Sequence, residues 1–197
     1  GDIEFNNNFI NTTDYGIYAD YFDYFGYYME GSSSFKMGNI EFCGNEITSG
    51  YEGIYIYEFY EFGYEMDDNA SFTMGSILVN DNTIYSEYEG IYVDYFEYFG
   101  NYMYGTSSFT MGNIEFSGNT INSSDYGIYV YEFCYFGYDM NGNSSFTMGN
   151  IEFNGNIINS TYAGIYVDYF EYFGEYMYDS SSFVMDDIQF NDNVINS

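Results

Sequence analysis

Carboxylates set beside phenols are the residues of this chain best placed to do chemistry. In "VDYFEYFG", residues 93–100, acids and tyrosines alternate around fixed phenylalanines. In "VYEFCYFG", residues 130–137, they have exchanged places. Read in steps of 37 residues, one slot runs Asp20, Tyr57, Asp94, Tyr131, Asp168. The next runs Tyr21, Glu58, Tyr95, Glu132, Tyr169. A third runs Asp23, Tyr60, Glu97, Cys134, Glu171, and a fourth Tyr24, Glu61, Tyr98, Tyr135, Tyr172. Carboxylates bind cations and accept hydrogen bonds, and phenols donate them. Like charges about 5 Å apart on neighbouring strands repel. A tyrosine between two acids doubles their spacing to about 10 Å, near the screening length at physiological salt. Each tyrosine is expected to donate a hydrogen bond to a neighbouring acid. The alternation also fits a duplicated two-repeat unit of 74 residues, and the two readings are compatible.

One slot breaks the alternation. Glu4 adjoins Glu41 and Glu115 adjoins Glu152, with Leu78 between the pairs and Gln189 at the end. Such pairs either bind a cation or hold a proton more tightly than free glutamate. Calcium is the cation considered, because Asn and Asp oxygens lie near in sequence. No cofactor is otherwise required. Five positions match the Asn-x-Ser/Thr acceptor: Asn11, Asn69, Asn122, Asn143 and Asn159. They fall at expected turns and would carry sugars if the protein is exported. Cys43 and Cys134 occupy different slots, two or more repeats apart, beyond disulfide reach.

The elements that position these residues are repeats. The copies span 1–37, 38–74, 75–111, 112–148 and 149–185, with a partial copy at 186–197. Apolar slots within each copy are mostly two residues apart, as in Ile3 to Phe5 and Phe35 to Met37, which is the period of half-buried strands. Gly and Asn/Ser clusters punctuate them. Asn8, Asn45, Asn82, Asn119, Asn156 and Asn193 form an invariant slot, read as an internal ladder of side-chain amides between rungs. The invariant glycines at 16, 53, 90, 127 and 164 are expected to supply a positive φ at a corner.

"NIEFSGNTINSSDYGIYV", residues 113–130, resembles the right-handed parallel β-helix repeat of pectate-lyase-like folds and of many archaeal and bacterial surface proteins. The resemblance covers about 22 residues of each 37 and implies an all-β, open-stacked β-solenoid. The remaining 15 or so, such as "YEFCYFGYDMNGNSS", form either a longer third face or an arm looping out. A helical solenoid is disfavoured by the single leucine, Leu78, and the three alanines. A five-bladed propeller is disfavoured because closing the ring would bring the acids of two odd copies together. The lyases that the repeat resembles use Arg or Lys as base, and this chain has no Arg and one Lys, so no enzyme activity is expected.

Thirty-one acids against the single base Lys36 give a net charge of −30. That repels nucleic acid, and no apolar run is long enough for membrane insertion. The pattern opens in mid-phrase, and the chain is read as part of a longer repeat, extracellular or on the cell surface. The first functional expectation is a structural repeat protein that self-associates into fibres or sheets, as a fibre, sheath or adhesin segment. The alternative is a carbohydrate-binding module whose tyrosines stack on glycans. Charge transfer along stacked aromatics rests on composition alone.

Overall fold

The computed structural model describes residues 1–197, which form strands and turns and no helix. Every strand pairs in parallel with its counterpart 37 residues away: Ile47 with Ile84, Phe59 with Phe96, Phe72 with Phe109. The chain is therefore a parallel β-solenoid of about five rungs. The third rung shows the four faces: Ile77–Leu78, Thr83–Ser86, Ile91–Phe99 and Ser108–Thr110. Each face continues through the stack as a sheet of five or six strands in register.

The 15-residue stretch belongs to the wall. Nine-residue strands at Ile54–Phe62, Ile91–Phe99 and Ile128–Phe136 make a long third face that takes in the start of it, Tyr131–Phe136 in the fourth copy. The remainder crosses to the fourth face through a column of single parallel bridges, Met29 to Met66 to Met103 to Met140 to Met177.

Side chains alternate in and out along the strands, so identical residues stack as ladders. Phe42, Phe59, Phe62, Phe72, Phe96, Phe99, Phe109, Phe116, Phe133, Phe136, Phe146 and Phe153 are almost fully shielded. Burying each is worth about 1.5–3 kcal/mol, so phenylalanine does here what leucine does elsewhere. Many rings stack face to face, as Phe62–Phe99 does at 4.8 Å and Phe109–Phe146 at 4.7 Å.

The glycines at 16, 53, 90, 127 and 164 do not adopt the positive φ expected of them. They are required by crowding. A Cβ on Gly90 would lie 2.3 Å from Ile121 Cγ2 and 2.6 Å from the Gly127 carbonyl oxygen. Left-handed backbone occurs instead at Gly63 and Gly100, and also at bulky residues: Tyr24, Glu61, Tyr98, Tyr135 and Tyr172 share one slot with φ between 56° and 61°. That conformation costs roughly 1–2 kcal/mol for a residue with a Cβ. Stacking offsets part of it, with Tyr98, Tyr135 and Tyr172 spaced 4.8 Å apart.

Candidate functional site

The ordered chemistry lies in three columns of polar side chains. The first is internal. Asn45, Asn82, Asn119 and Asn156 are buried, and each side-chain amide donates to the Oδ1 of the Asn one rung on, at 2.9–3.1 Å. Asn8 starts the column at 2.9 Å and Asn193 ends it. The second amide hydrogen goes to a backbone carbonyl of the rung below, Phe5 for Asn45 and Phe42 for Asn82. This column is structural, because every side-chain polar atom of its four buried members is occupied.

The second column lies on the first face. Register places Glu4 beside Glu41 and Glu115 beside Glu152, with Leu78 separating the pairs. Asn6 and Asn39 donate to the two oxygens of Glu41 at 2.7 and 2.9 Å. Asn80 and Asn113 do the same for Glu115, both at 2.9 Å, and Asn150 and Asn154 for Glu152 at 2.9 and 3.1 Å. The oxygens of Asn6 and Asn39 are themselves tied to backbone N–H groups of the next rung. Three of the four carboxylates, Glu41, Glu115 and Glu152, thus face amide donors, where calcium needs converging oxygens. No group of three or more acids or thiols is placed to hold a metal ion. At these three residues amide N–H groups already occupy the carboxylate oxygens that a calcium ion would need.

The third column is the acid and tyrosine array of the long face. The register sets Glu58 and Glu132 on either side of Tyr95, and Tyr60 beside Glu97. Within a slot the acids are therefore two rungs apart. Across slots they meet. Burial raises the pKa of Glu58, and the charges of Asp23, Asp20 and Asp94 raise it further. Glu132 is raised by burial and by Asp94 and Asp168. The acids run as a zigzag beside a zigzag of phenols, in which Tyr57 packs edge-on against Tyr21 at 5.7 Å and Tyr95 at 5.6 Å. Tyr131 meets Tyr169 in the same way at 5.6 Å. In the third and fourth slots Tyr60 and Tyr172 interact with the adjoining Glu61 and Glu171, as expected of alternating tyrosines. In the first slot the donors are instead the tyrosines of Gly-Ile-Tyr: Tyr18 to Asp20 at 3.3 Å and Tyr92 to Asp94 at 3.1 Å.

Two carboxyls stand apart. Glu97 is the one charged residue in the buried class, at 7% exposure, and burial beside Glu132 pushes it up to about 7. Cys134 takes the place of a tyrosine next to it and reaches Glu97 Oε2 at 3.7 Å. Glu89 is pushed up to about 7 by burial, with Asp125 and Glu52 adding to it. Neither lines a surface depression. The Cys134 departure was visible in the repeat. The pairing of Glu52 with Glu89, 37 residues apart in one slot, was visible there too, whereas the approach of Asp125 was not, because it comes from the adjacent slot.

The five glycosylation candidates are all exposed. Asn69 and Asn143 sit in turns. Asn11, Asn122 and Asn159 do not, contrary to expectation: they lie within second-face strands, and Asn159 donates to Asn122 at 3.2 Å. Cys43 and Cys134 are free thiols.

These features define a parallel β-solenoid with laddered polar faces. No family model, curated protein sequence or solved structure matches the chain.

Proposed function

We propose that this protein is a structural repeat protein of a microbial cell surface, built like the β-helix repeats of surface proteins and assembling with copies of itself into fibres or sheets. One observation carries the reading: side-chain chemistry is spread uniformly along the stack, in the same slots of successive rungs, and is not gathered into one cleft. Uniform faces suit a surface that is extended by repetition. The terminal rungs expose side chains of core slots, such as Phe190 at 51% and Ile195 at 46%, together with strand edges that a further rung would cover. The single base, Lys36, leaves little for trypsin to cut. Sugars on Asn69 and Asn143 would suit an exported chain, because both side chains stand in exposed turns.

Electron microscopy of the purified chain tests the reading. Filaments or sheets are expected, and they should survive a calcium chelator, since the paired glutamates are given no metal-binding role. Dispersed monomers at high concentration and low pH would contradict it.

A second reading draws on one feature. A depression of about 190 Å³ is lined by Tyr28, Glu30, Glu65, Asp67, Tyr102 and Tyr104. Rings beside carboxylates suit a sugar, whose apolar face stacks while its hydroxyls donate. Monomers that bind glycans, and lose them on Tyr102→Ala, would favour this carbohydrate-binding alternative.

A further inference from the structure

The tyrosines of Gly-Ile-Tyr form a column on the outside of the long face. Tyr55, Tyr92 and Tyr129 stack with centroids 5.0 Å apart and planes within 12° of parallel. Tyr18 and Tyr166 extend the column at 5.2 Å with tilted rings. Asp94 serves two of these phenols at once. Tyr92 donates to its Oδ1 at 3.1 Å, and Tyr55 makes a longer contact to its Oδ2 at 3.5 Å. Asp94 is partly buried at the position that its strand's pairing register skips, and the single base of the chain lies on another face.

This arrangement has the parts needed for phenol oxidation. A neutral phenol that loses an electron becomes strongly acidic, so a base in contact with the hydroxyl lowers the barrier. Burial, with the charge of Asp94, raises the Tyr92 phenol well above its ordinary value, so the ring is neutral across the working pH range. Stacked neighbours at 5.0 Å give the electron vacancy somewhere to go. The chain has no tryptophan to compete as the oxidised residue.

We propose that Tyr92, stacked on Tyr55 and hydrogen-bonded to Asp94, is a redox-active tyrosine site that reacts with one-electron oxidants of the ferryl-haem or photo-oxidised metal-complex class. The oxidant gains one electron from Tyr92. The Tyr92 O–H bond breaks, and its proton moves to Asp94 Oδ1, leaving a neutral phenoxyl radical and a carboxylic acid. Tyr55 then refills the vacancy by giving up an electron. Its proton goes to Asp94 Oδ2 as Asp94 returns the first proton to Tyr92. Charge is conserved at each step, and Asp94 holds one proton throughout the transfer.

Flash oxidation of the whole chain by a tris-bipyridyl ruthenium complex with persulfate tests this, with tyrosyl radical formation followed by transient absorption. The wild type should show a fast phase above the slower oxidation of exposed rings such as Tyr162 and Tyr21. Tyr92→Phe should abolish it. Asp94→Asn, which keeps an oxygen acceptor but cannot take a proton, should slow it about tenfold or more. Asp20→Asn, the equivalent change at an exposed rung, should leave it unchanged. No fast phase in the wild type, or wild-type kinetics in Tyr92→Phe or in Asp94→Asn, would overturn the proposal. Circular dichroism checks each variant. If Asp94→Asn fails to fold, Tyr92→Phe, which removes a single oxygen, still decides.

Discussion

Asn82 shows what a single residue contributes. Its side chain makes four hydrogen bonds: it donates to Phe42 O and Asn119 Oδ1, and accepts from the backbone and side-chain N–H groups of Asn45. Replacing it strands donors and an acceptor with almost no access to water, at about 1–3 kcal/mol for each unmatched group. Asn82→Ala should therefore lower stability by about 3 kcal/mol or more, measured by denaturant midpoint. Asn159→Ala, in the exposed ladder, should cost within about 0.5 kcal/mol. Equal effects would count against a structural role for the inner column. Gly90→Ala should cost about 1–3 kcal/mol through overpacking, although its φ is ordinary. Gly155→Asn should be nearly neutral in the same assay, since space is open there and other rungs hold Asn7, Asp81 and Asp192 in that slot at positive φ. The need for these glycines was legible in the repeat. The reason was not, because invariance looks the same whether a position lacks room or needs a left-handed backbone.

The long third face carries the element-scale lesson. Its strands could be read from the period-two spacing, and the exchange of acid and tyrosine was plain in the slots. Two features were hidden. The pairing register skips Asp94, and the consecutive side chains of Asp94 and Tyr95 are both partly exposed, so adjacent slots share one surface. The tyrosines with φ near 60° could not be anticipated, because left-handed backbone is rare for bulky residues. The alternation therefore relieves repulsion along each slot and leaves it across the diagonal. Tyr57→Asp would place a further charge among Asp20, Glu58 and Asp94. It should destabilise by about 0.5–1 kcal/mol beyond the loss of the ring at low salt. Most of that charge effect should disappear at 1 M salt. A loss independent of salt would show that the tyrosine acts only by packing.

For the whole molecule, the consequence is an inverted pH response. Every carboxyl whose shift is resolved is raised, including Glu52, Glu58, Glu61, Glu89, Asp94, Glu97, Asp125 and Glu132. A raised folded pKa means that the folded state holds the proton more tightly than the unfolded chain. The resulting stabilisation is complete below the unfolded value and is lost as pH climbs through the folded one. For Glu97 the window runs from 4.5 to about 7 and is worth on the order of 2 kcal/mol. Thermal midpoints should thus rise as pH falls from 7 to 4.5. Glu97→Gln should stabilise at pH 7 and do little at pH 4.5. A midpoint that falls on acidification would show that these carboxyls are not held protonated by the fold.

The central claim is that successive 37-residue copies lie on one axis in register. Pulsed electron paramagnetic resonance between spin labels in one slot, in a chain with Cys43 and Cys134 replaced by Ser, tests it most directly. Labels at Phe9→Cys paired with Thr120→Cys, Ile157→Cys or Val194→Cys lie three, four and five rungs apart. Their separations should be near 14, 19 and 24 Å, growing by about 4.8 Å per rung. Separations that stop growing, or shrink as copies return around a ring, would contradict the stack.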